Sequence, residues 1–113
     1  MYIKNTKSTL FISKSKNISD IPTLFIHGFT GSSKSWSGIR SKLSTSTISV
    51  DIPGHGKSIF NDLSDTYFFK DFSNELFISL LHLKIKKINL CGYSLGGRLA
   101  ITFAAKYPEM ISS

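Results

Sequence analysis

The segment Gly92-Tyr-Ser-Leu-Gly-Gly97 constrains this chain more than any other. It follows a short apolar run, Lys87-Ile-Asn-Leu-Cys91, that reads as a strand. It precedes a helical stretch that begins near Leu95, runs to Tyr107 and stops at Pro108. A serine between glycines, with a strand before and a helix after, fits the G-x-S-x-G turn. The glycines have a physical reason. A serine exposed at a strained strand-to-helix turn leaves no room for side chains at 92 and 96. The amino end of the helix then faces the serine and favours developing negative charge. That makes Ser94 the candidate reactive residue and the Leu95 N–H a candidate oxyanion donor. The plainer reading is a glycine-rich turn with an incidental serine, and the flanking strand and helix weigh against it.

Two further glycine-bearing loops follow apolar runs. Pro22-Thr-Leu-Phe-Ile-His27 reads as a buried strand that ends in Gly28-Phe-Thr-Gly31. Thr47-Ile-Ser-Val-Asp51 reads as the next, followed by the loop Ile52-Pro-Gly-His-Gly56. Between the runs, Trp36, Ile39, Arg40 and Leu43 predict a short amphipathic helix over 34–43. Phe69, Phe72, Leu76, Leu80 and Leu83 predict a longer one over 67–83. Strand and helix therefore alternate three times, which is the pattern of an α/β domain with a parallel sheet. Ligands in such sheets bind beyond the carboxyl ends of the strands, where all three glycine loops fall. Two apolar patches, Tyr2–Ile3 and Leu10–Ile12, predict an N-terminal hairpin within 1–20. The expected organisation is one domain over 1–113, with that hairpin and a βαβαβα core over 22–108.

An oxyanion hole needs a second donor, and the loop after the first parallel strand supplies one at the Phe29 N–H. His27 in the same loop is expected to be structural. Asp51 and His55 are read as loop-structuring residues, because the usual chain order of a triad puts acid and histidine after the serine.

Composition narrows the partners. The formal charge is +7, but the lysines are scattered, with short clusters only at Lys14–Lys16 and Lys84–Lys87. That excludes a basic stripe for nucleic acid and favours a plain solvated, lysine-rich surface, with a field that helps an anionic small molecule approach as the weaker alternative. The single cysteine, Cys91, cannot form an internal bridge. No apolar run nears the ~20 residues of a membrane span, and the N-terminus has no continuous apolar core or cleavage site, so the expected compartment is the cytoplasm. No motif calls for a metal or a cofactor.

Together the three loops resemble the α/β-hydrolase superfamily from about Pro22 to the C-terminus. Within it, the chain is most similar to the 2-succinyl-6-hydroxy-2,4-cyclohexadiene-1-carboxylate synthase family of menaquinone biosynthesis. The stretches that carry this are His27-Gly-Phe-Thr-Gly-Ser32, Asp51-Ile-Pro-Gly-His-Gly-Lys-Ser58 and Gly92-Tyr-Ser-Leu-Gly-Gly-Arg98. The first two are shared with many esterases, and the arginine after the elbow glycines is the more discriminating. The resemblance implies the N-terminal part of an α/β-hydrolase fold, a mostly parallel sheet with flanking helices. It implies a cofactor-free carbon–oxygen lyase that eliminates pyruvate from a cyclohexene-carboxylate precursor. Ser94 would act as the base, the Phe29 and Leu95 amides as the oxyanion hole, and Tyr93 would line the pocket. Arg98 would bind carboxylates of a small anionic substrate, against the plainer reading of a surface arginine on a helix. A serine esterase or lipase, and a catalytically silent fragment, are the alternatives.

The family pattern places its acid and histidine after the serine, yet residues 95–113 hold Glu109 as their one acid and no histidine. His27, His55 and His82 all come before it. The expectation is therefore an incomplete domain of low stability and negligible turnover by itself, with one edge of the sheet open beside the elbow strand.

Overall fold

The computed structural model describes residues 1–18 and 20–113. Ser19, within the stretch expected to form the hairpin, lies outside the described residues. Among the described residues a six-stranded mixed sheet runs in the order β1 (Tyr2–Lys4), β2 (Ser8–Lys14), β4 (Thr47–Val50), β3 (Thr23–Ile26), β6 (Asn89–Gly92), with β5 (Ile59–Phe60) paired to β2. The parallel centre is β3, flanked by β4 and β6. Strands β1, β2 and β5 add an antiparallel flank. The sheet has a parallel core and flanking helices, the architecture that the resemblance implies.

Alternation along the central strands assigns their two faces. Leu24, Ile26, Ile48 and Val50 join one core with Phe72, Leu76 and Leu80 of α2 (Phe69–His82) and Leu99 and Phe103 of α3 (Leu95–Lys106). Each such side chain stabilises the fold by about 1.5–3 kcal/mol through burial. Both long helices thus form where the 3.6-residue spacing of apolar residues predicts them. Phe77 of α2 stacks on Tyr107 with ring centroids 4.0 Å apart, locking the two helices together.

The opposite face of β3 and β4 is different in character, and it changes the predicted helix over 34–43. There the chain makes a 3-10 turn, Ser33–Trp36, and a single α turn, α1 (Ser37–Arg40), with no buried residue in either. Trp36 packs on Phe25, at 4.8 Å between centroids, but Ile39 and Leu43 stay exposed. The reason lies in the sheet surface. Thr47 and Ser49 face this segment, and Arg40 turns inward to donate to Thr47 Oγ1 at 2.9 Å, Ser49 Oγ at 2.7 Å and Ser13 Oγ at 3.2 Å. A guanidinium on hydroxyls anchors the segment instead of an apolar stripe. A run of serines with Gly38 has little intrinsic helix preference to extend it.

The edge beside the elbow strand also differs from expectation. Ile88 pairs with Ile111 in parallel, Ser112 N–H donates to the Ile88 carbonyl at 2.8 Å, and Leu90 N–H donates to the Ser113 carbonyl at 2.8 Å. The last residues lie along β6 and cover part of that edge. The β5 pairing was not legible in the sequence, because a two-residue strand carries no periodicity. At the N-terminal flank, the buried Glu75 carboxylate of α2 accepts from Ser8 Oγ at 2.6 Å, Lys7 N–H at 2.7 Å and Tyr67 Oη at 3.0 Å. Burial, reinforced by Glu75, pushes the Tyr67 phenol well above its ordinary value. Among the described residues no helix is long and apolar enough to cross a membrane.

Candidate active site

Strand β6 ends at Gly92, and Tyr93 N–H donates to the Ile26 carbonyl of β3 at 3.1 Å. The chain then turns sharply. Ser94 sits at φ 55°, ψ −115°, and α3 starts at the next residue. A non-glycine residue held at positive φ costs about 1–2 kcal/mol, so the surrounding structure must enforce the turn. It does so through contact that only glycine permits. A Cβ at Gly96 would meet the carbonyls of Ile26 and His27, and one at Gly92 would meet the Gly96 carbonyl. The first turn of α3 therefore rests directly on the backbone at the end of β3. Ser94 is left exposed, and among the described residues its hydroxyl has no hydrogen-bond partner. Neither has the Leu95 N–H at the start of the helix.

The loop after β3 lies against this elbow. Gly28 passes the Tyr93 ring so closely that an added Cβ would stand 3.0 Å from its Cδ2. Gly31 N–H donates to the Gly28 carbonyl at 3.0 Å, closing a turn whose Thr30 has φ 65°. A β-branched residue at positive φ is a strained position. Phe29 at the tip is 73% exposed, and its N–H has no acceptor among the described residues. Two unpaired amides, Phe29 and Leu95, thus stand on the two loops that flank Ser94.

His27 and Asp51 hold these loops from beneath. His27 is fully buried; its Nδ1 lies 2.7 Å from the Gly28 carbonyl and its Nε2 accepts from Ile52 N–H at 3.0 Å. Those partners assign the proton to Nδ1. Burial lowers the pKa of His27 from its ordinary 6.5, with nearby His55 acting in the same direction and the Gly28 hydrogen bond and Asp51 opposing. The Asp51 carboxylate accepts from Ser33 N–H at 2.6 Å through Oδ1 and from Lys57 N–H at 2.8 Å through Oδ2. Both residues are occupied in tying the strand-end loops together.

Two of the cavities at this end of the sheet are lined by a neighbour of Ser94, Tyr93 in one and Leu95 in the other, though by Ser94 itself in neither. One, of about 490 Å³, lies between the 27–31 loop, Trp36, Ile39 and Tyr93. The other, of about 190 Å³, is lined by Phe29, His55, Tyr67, Phe72, Leu95 and Leu99 among others, and is almost wholly apolar. The structure thus gathers Ser94, Phe29, Leu95 and Tyr93 at the carboxyl ends of the parallel strands. Arg98 stands one turn along α3, its N–H donating to the Ser94 carbonyl at 3.1 Å. Its side chain is exposed, lines neither cavity, and has no partner among the described residues. The aromatic wall formed by Phe60, Tyr67, Phe68 and Phe69 was missed from sequence; the cluster Tyr67-Phe68-Phe69 was its only local sign. Among the described residues no group of three or more His, Cys, Asp or Glu is placed to hold a metal ion.

Residues 22–113 match the family model described as alpha/beta hydrolase fold. The 2-succinyl-6-hydroxy-2,4-cyclohexadiene-1-carboxylate synthase of Enterobacter sp. strain 638 is 36% identical over 86 residues, which is 75% of this chain and 32% of that protein. Protein PHYLLO of the Arabidopsis thaliana chloroplast is 38% identical over 96 residues, 78% of this chain and 6% of that protein. The crystal structure of MGS-M2, an alpha/beta hydrolase enzyme from a Medee basin deep-sea metagenome library, superimposes with a TM-score of 0.86 at 25% identity. It covers 98% of this chain and 41% of MGS-M2. The chain thus spans about a third of the length of the synthase it matches.

Proposed function

From the premise that the chain belongs to the α/β-hydrolase fold family, we propose that it is the elbow-bearing part of a carbon–oxygen lyase of the 2-succinyl-6-hydroxy-2,4-cyclohexadiene-1-carboxylate synthase type. The observation that carries this reading is the elbow itself. Ser94 is strained and exposed, it and the Phe29 and Leu95 amides have no hydrogen-bond partner among the described residues, and Arg98 follows directly after the elbow glycines.

In this reading Ser94 Oγ, once deprotonated, removes a proton from a ring carbon of the substrate. The electron pair moves through the ring and expels pyruvate across the 2,5 positions. Negative charge that builds on a conjugated oxygen is met by the Phe29 and Leu95 N–H groups, which lack acceptors among the described residues and so break no hydrogen bond to receive it. The amino end of α3 adds to that field. Arg98, unpaired and one turn from Ser94, is available to a substrate carboxylate, and the net charge of +7 draws an anionic substrate in. Tyr93 forms one wall. Proton transfer needs a serine made basic by a neighbour, and no histidine or carboxylate contacts Ser94 among the described residues. The 113-residue chain alone is therefore expected to turn over negligible substrate.

A serine esterase uses the same elbow and the same amides, and the apolar 190 Å³ cavity beside Leu95 suits an acyl group. The two readings part in one experiment. The natural protein, at the length its source makes, is given the cyclohexene-carboxylate precursor in one arm and p-nitrophenyl acetate in the other. Pyruvate release that falls at least 10³-fold in Ser94→Ala, without brisk ester cleavage, is the expected result. Ester cleavage without pyruvate release overturns the lyase reading in favour of the esterase.

A further inference from the structure

The 190 Å³ cavity contains one polar device that loop-holding does not explain. His55 follows β4 in the tight loop 52–56, and its ring is set between His27, at 5.2 Å, and Phe29, at 5.6 Å. It lines the cavity together with Phe29 and Leu95, the two residues whose amides lack acceptors. The remaining walls are Ile52, Pro53, Leu99 and the aromatic cluster of α2 and its approach. Tyr67 is the other lining side chain with a polar atom, and its hydroxyl is already committed to Glu75 at 3.0 Å. His55 Nδ1 lies 3.4 Å from the Pro53 carbonyl, and the tautomer with its proton on Nδ1 is the one that makes this weak contact a hydrogen bond. Its Nε2 has no partner among the described residues, and in that tautomer it is an acceptor.

Size sets the guest. An apolar cavity of about 150 Å³ takes benzene, so 190 Å³ is room for one six-membered ring, and the open mouth leaves the ring's larger, charged substituents outside. We propose that this cavity seats a single hydroxyl-bearing carbon ring of the substrate, and that His55 Nε2 accepts the hydrogen bond from the ring hydroxyl. His55 is then a positioning and specificity residue, which orients the ring against the Phe29 and Leu95 amides and takes no part in the proton transfer at Ser94. The assignment rests on the reading of this site as the active site. It also holds for any ring-bearing alcohol, whichever chemistry follows.

The test is binding of phenol and toluene, rings of one size with and without a hydroxyl. It is followed by the His55 imidazole resonances in a 13C-correlated NMR titration of the natural protein, at the length its source makes. Both ligands are expected to shift those resonances. In His55→Leu, which keeps bulk and removes the acceptor, the phenol-to-toluene affinity ratio is expected to fall about fivefold, one hydrogen bond's worth. Toluene affinity itself should stay within twofold, and His55→Gln should restore the ratio. A loop merely held up by His55 would lower both affinities together in the Leu variant, and that result overturns the assignment. So does a ratio unchanged by His55→Leu, or a titration in which neither ligand moves the His55 signals. None of these readouts depends on turnover, so failure of pyruvate release and failure of the ring site are seen separately.

Discussion

Two sets of residues share the carboxyl end of the sheet and are built on opposite rules. In the clamp, every polar atom is spoken for. His27 bridges the Gly28 carbonyl and the Ile52 N–H, and Asp51 receives Ser33 and Lys57 N–H on separate oxygens. In the elbow, one strand away, Ser94 and the Leu95 amide are left without partners among the described residues, and the backbone is held at a positive φ. The clamp is buried and unstrained; the elbow is exposed and strained. The contrast teaches that a histidine and an aspartate near a serine are not a triad when their hydrogen bonds are already used. Reactivity belongs where the structure has withheld a partner, and the clamp exists so that the elbow can be left open.

That contrast can be broken at several points. The largest effect is expected from Asp51→Ala, which strands two backbone donors that the carboxylate now satisfies. A loss of about 3–4 kcal/mol in urea unfolding follows from removing charged hydrogen bonds in a buried place. A loss below about 1 kcal/mol would mean that the loops hold themselves. Next comes Gly96→Ala. Its Cβ must push α3 away from the Ile26 and His27 carbonyls, for about 2–3 kcal/mol of overpacking. Gly38→Ala is its control: nothing lies within 4 Å of the new methyl, so it should be neutral or stabilising by up to about 1 kcal/mol. Equal effects of the two would remove the argument that the elbow is pressed onto β3.

Ser94→Gly should move the other way, stabilising the fold by about 1 kcal/mol as the positive φ is relieved. A destabilised Ser94→Gly protein would show that the serine is not strained. The smallest effect is one of pH. Burial holds the His27 pKa below its ordinary 6.5, so the unfolded chain takes up a proton before the folded one does. Stability from this group is complete above 6.5 and is lost as pH falls through the lowered folded value. The urea midpoint measured from pH 7.5 downward should therefore decline below about pH 6.5, and His27→Gln should flatten that part of the decline. A midpoint independent of pH in this window would remove His27 from the buried network.

The elbow and its neighbouring loops were legible in the sequence because each requirement is local. Gly92, Ser94 and Gly96 meet one another within one turn of chain, and the strand and helix that flank them are periodic. The helix over 34–43 was misjudged because its fate is decided elsewhere, by the hydroxyls of Ser13, Thr47 and Ser49 that draw Arg40 inward. The cavity that His55 lines could not be read at all. Its walls come from residue 29, the loop 52–55, the aromatics 60–72 and the start of α3, and no spacing along the chain announces their meeting. Arg98 illustrates the converse. Its place after the elbow glycines is plain in the sequence, but its side chain reaches neither cavity in the structure.

The seating of Gly96 on β3 has a consequence for exchange with solvent. The Tyr93 N–H is held by the Ile26 carbonyl across the sheet, so its hydrogen is traded for deuterium only when β6 and β3 part. Two residues on, the Leu95 N–H has no acceptor among the described residues and trades without any opening of the sheet. Neighbouring amides thus run on separate clocks, one set by the stability of the sheet and the other by whatever occupies the turn. A bound oxyanion slows the second clock directly, at Leu95 as at Phe29, and reaches the first only through the stability that binding adds to the closed sheet.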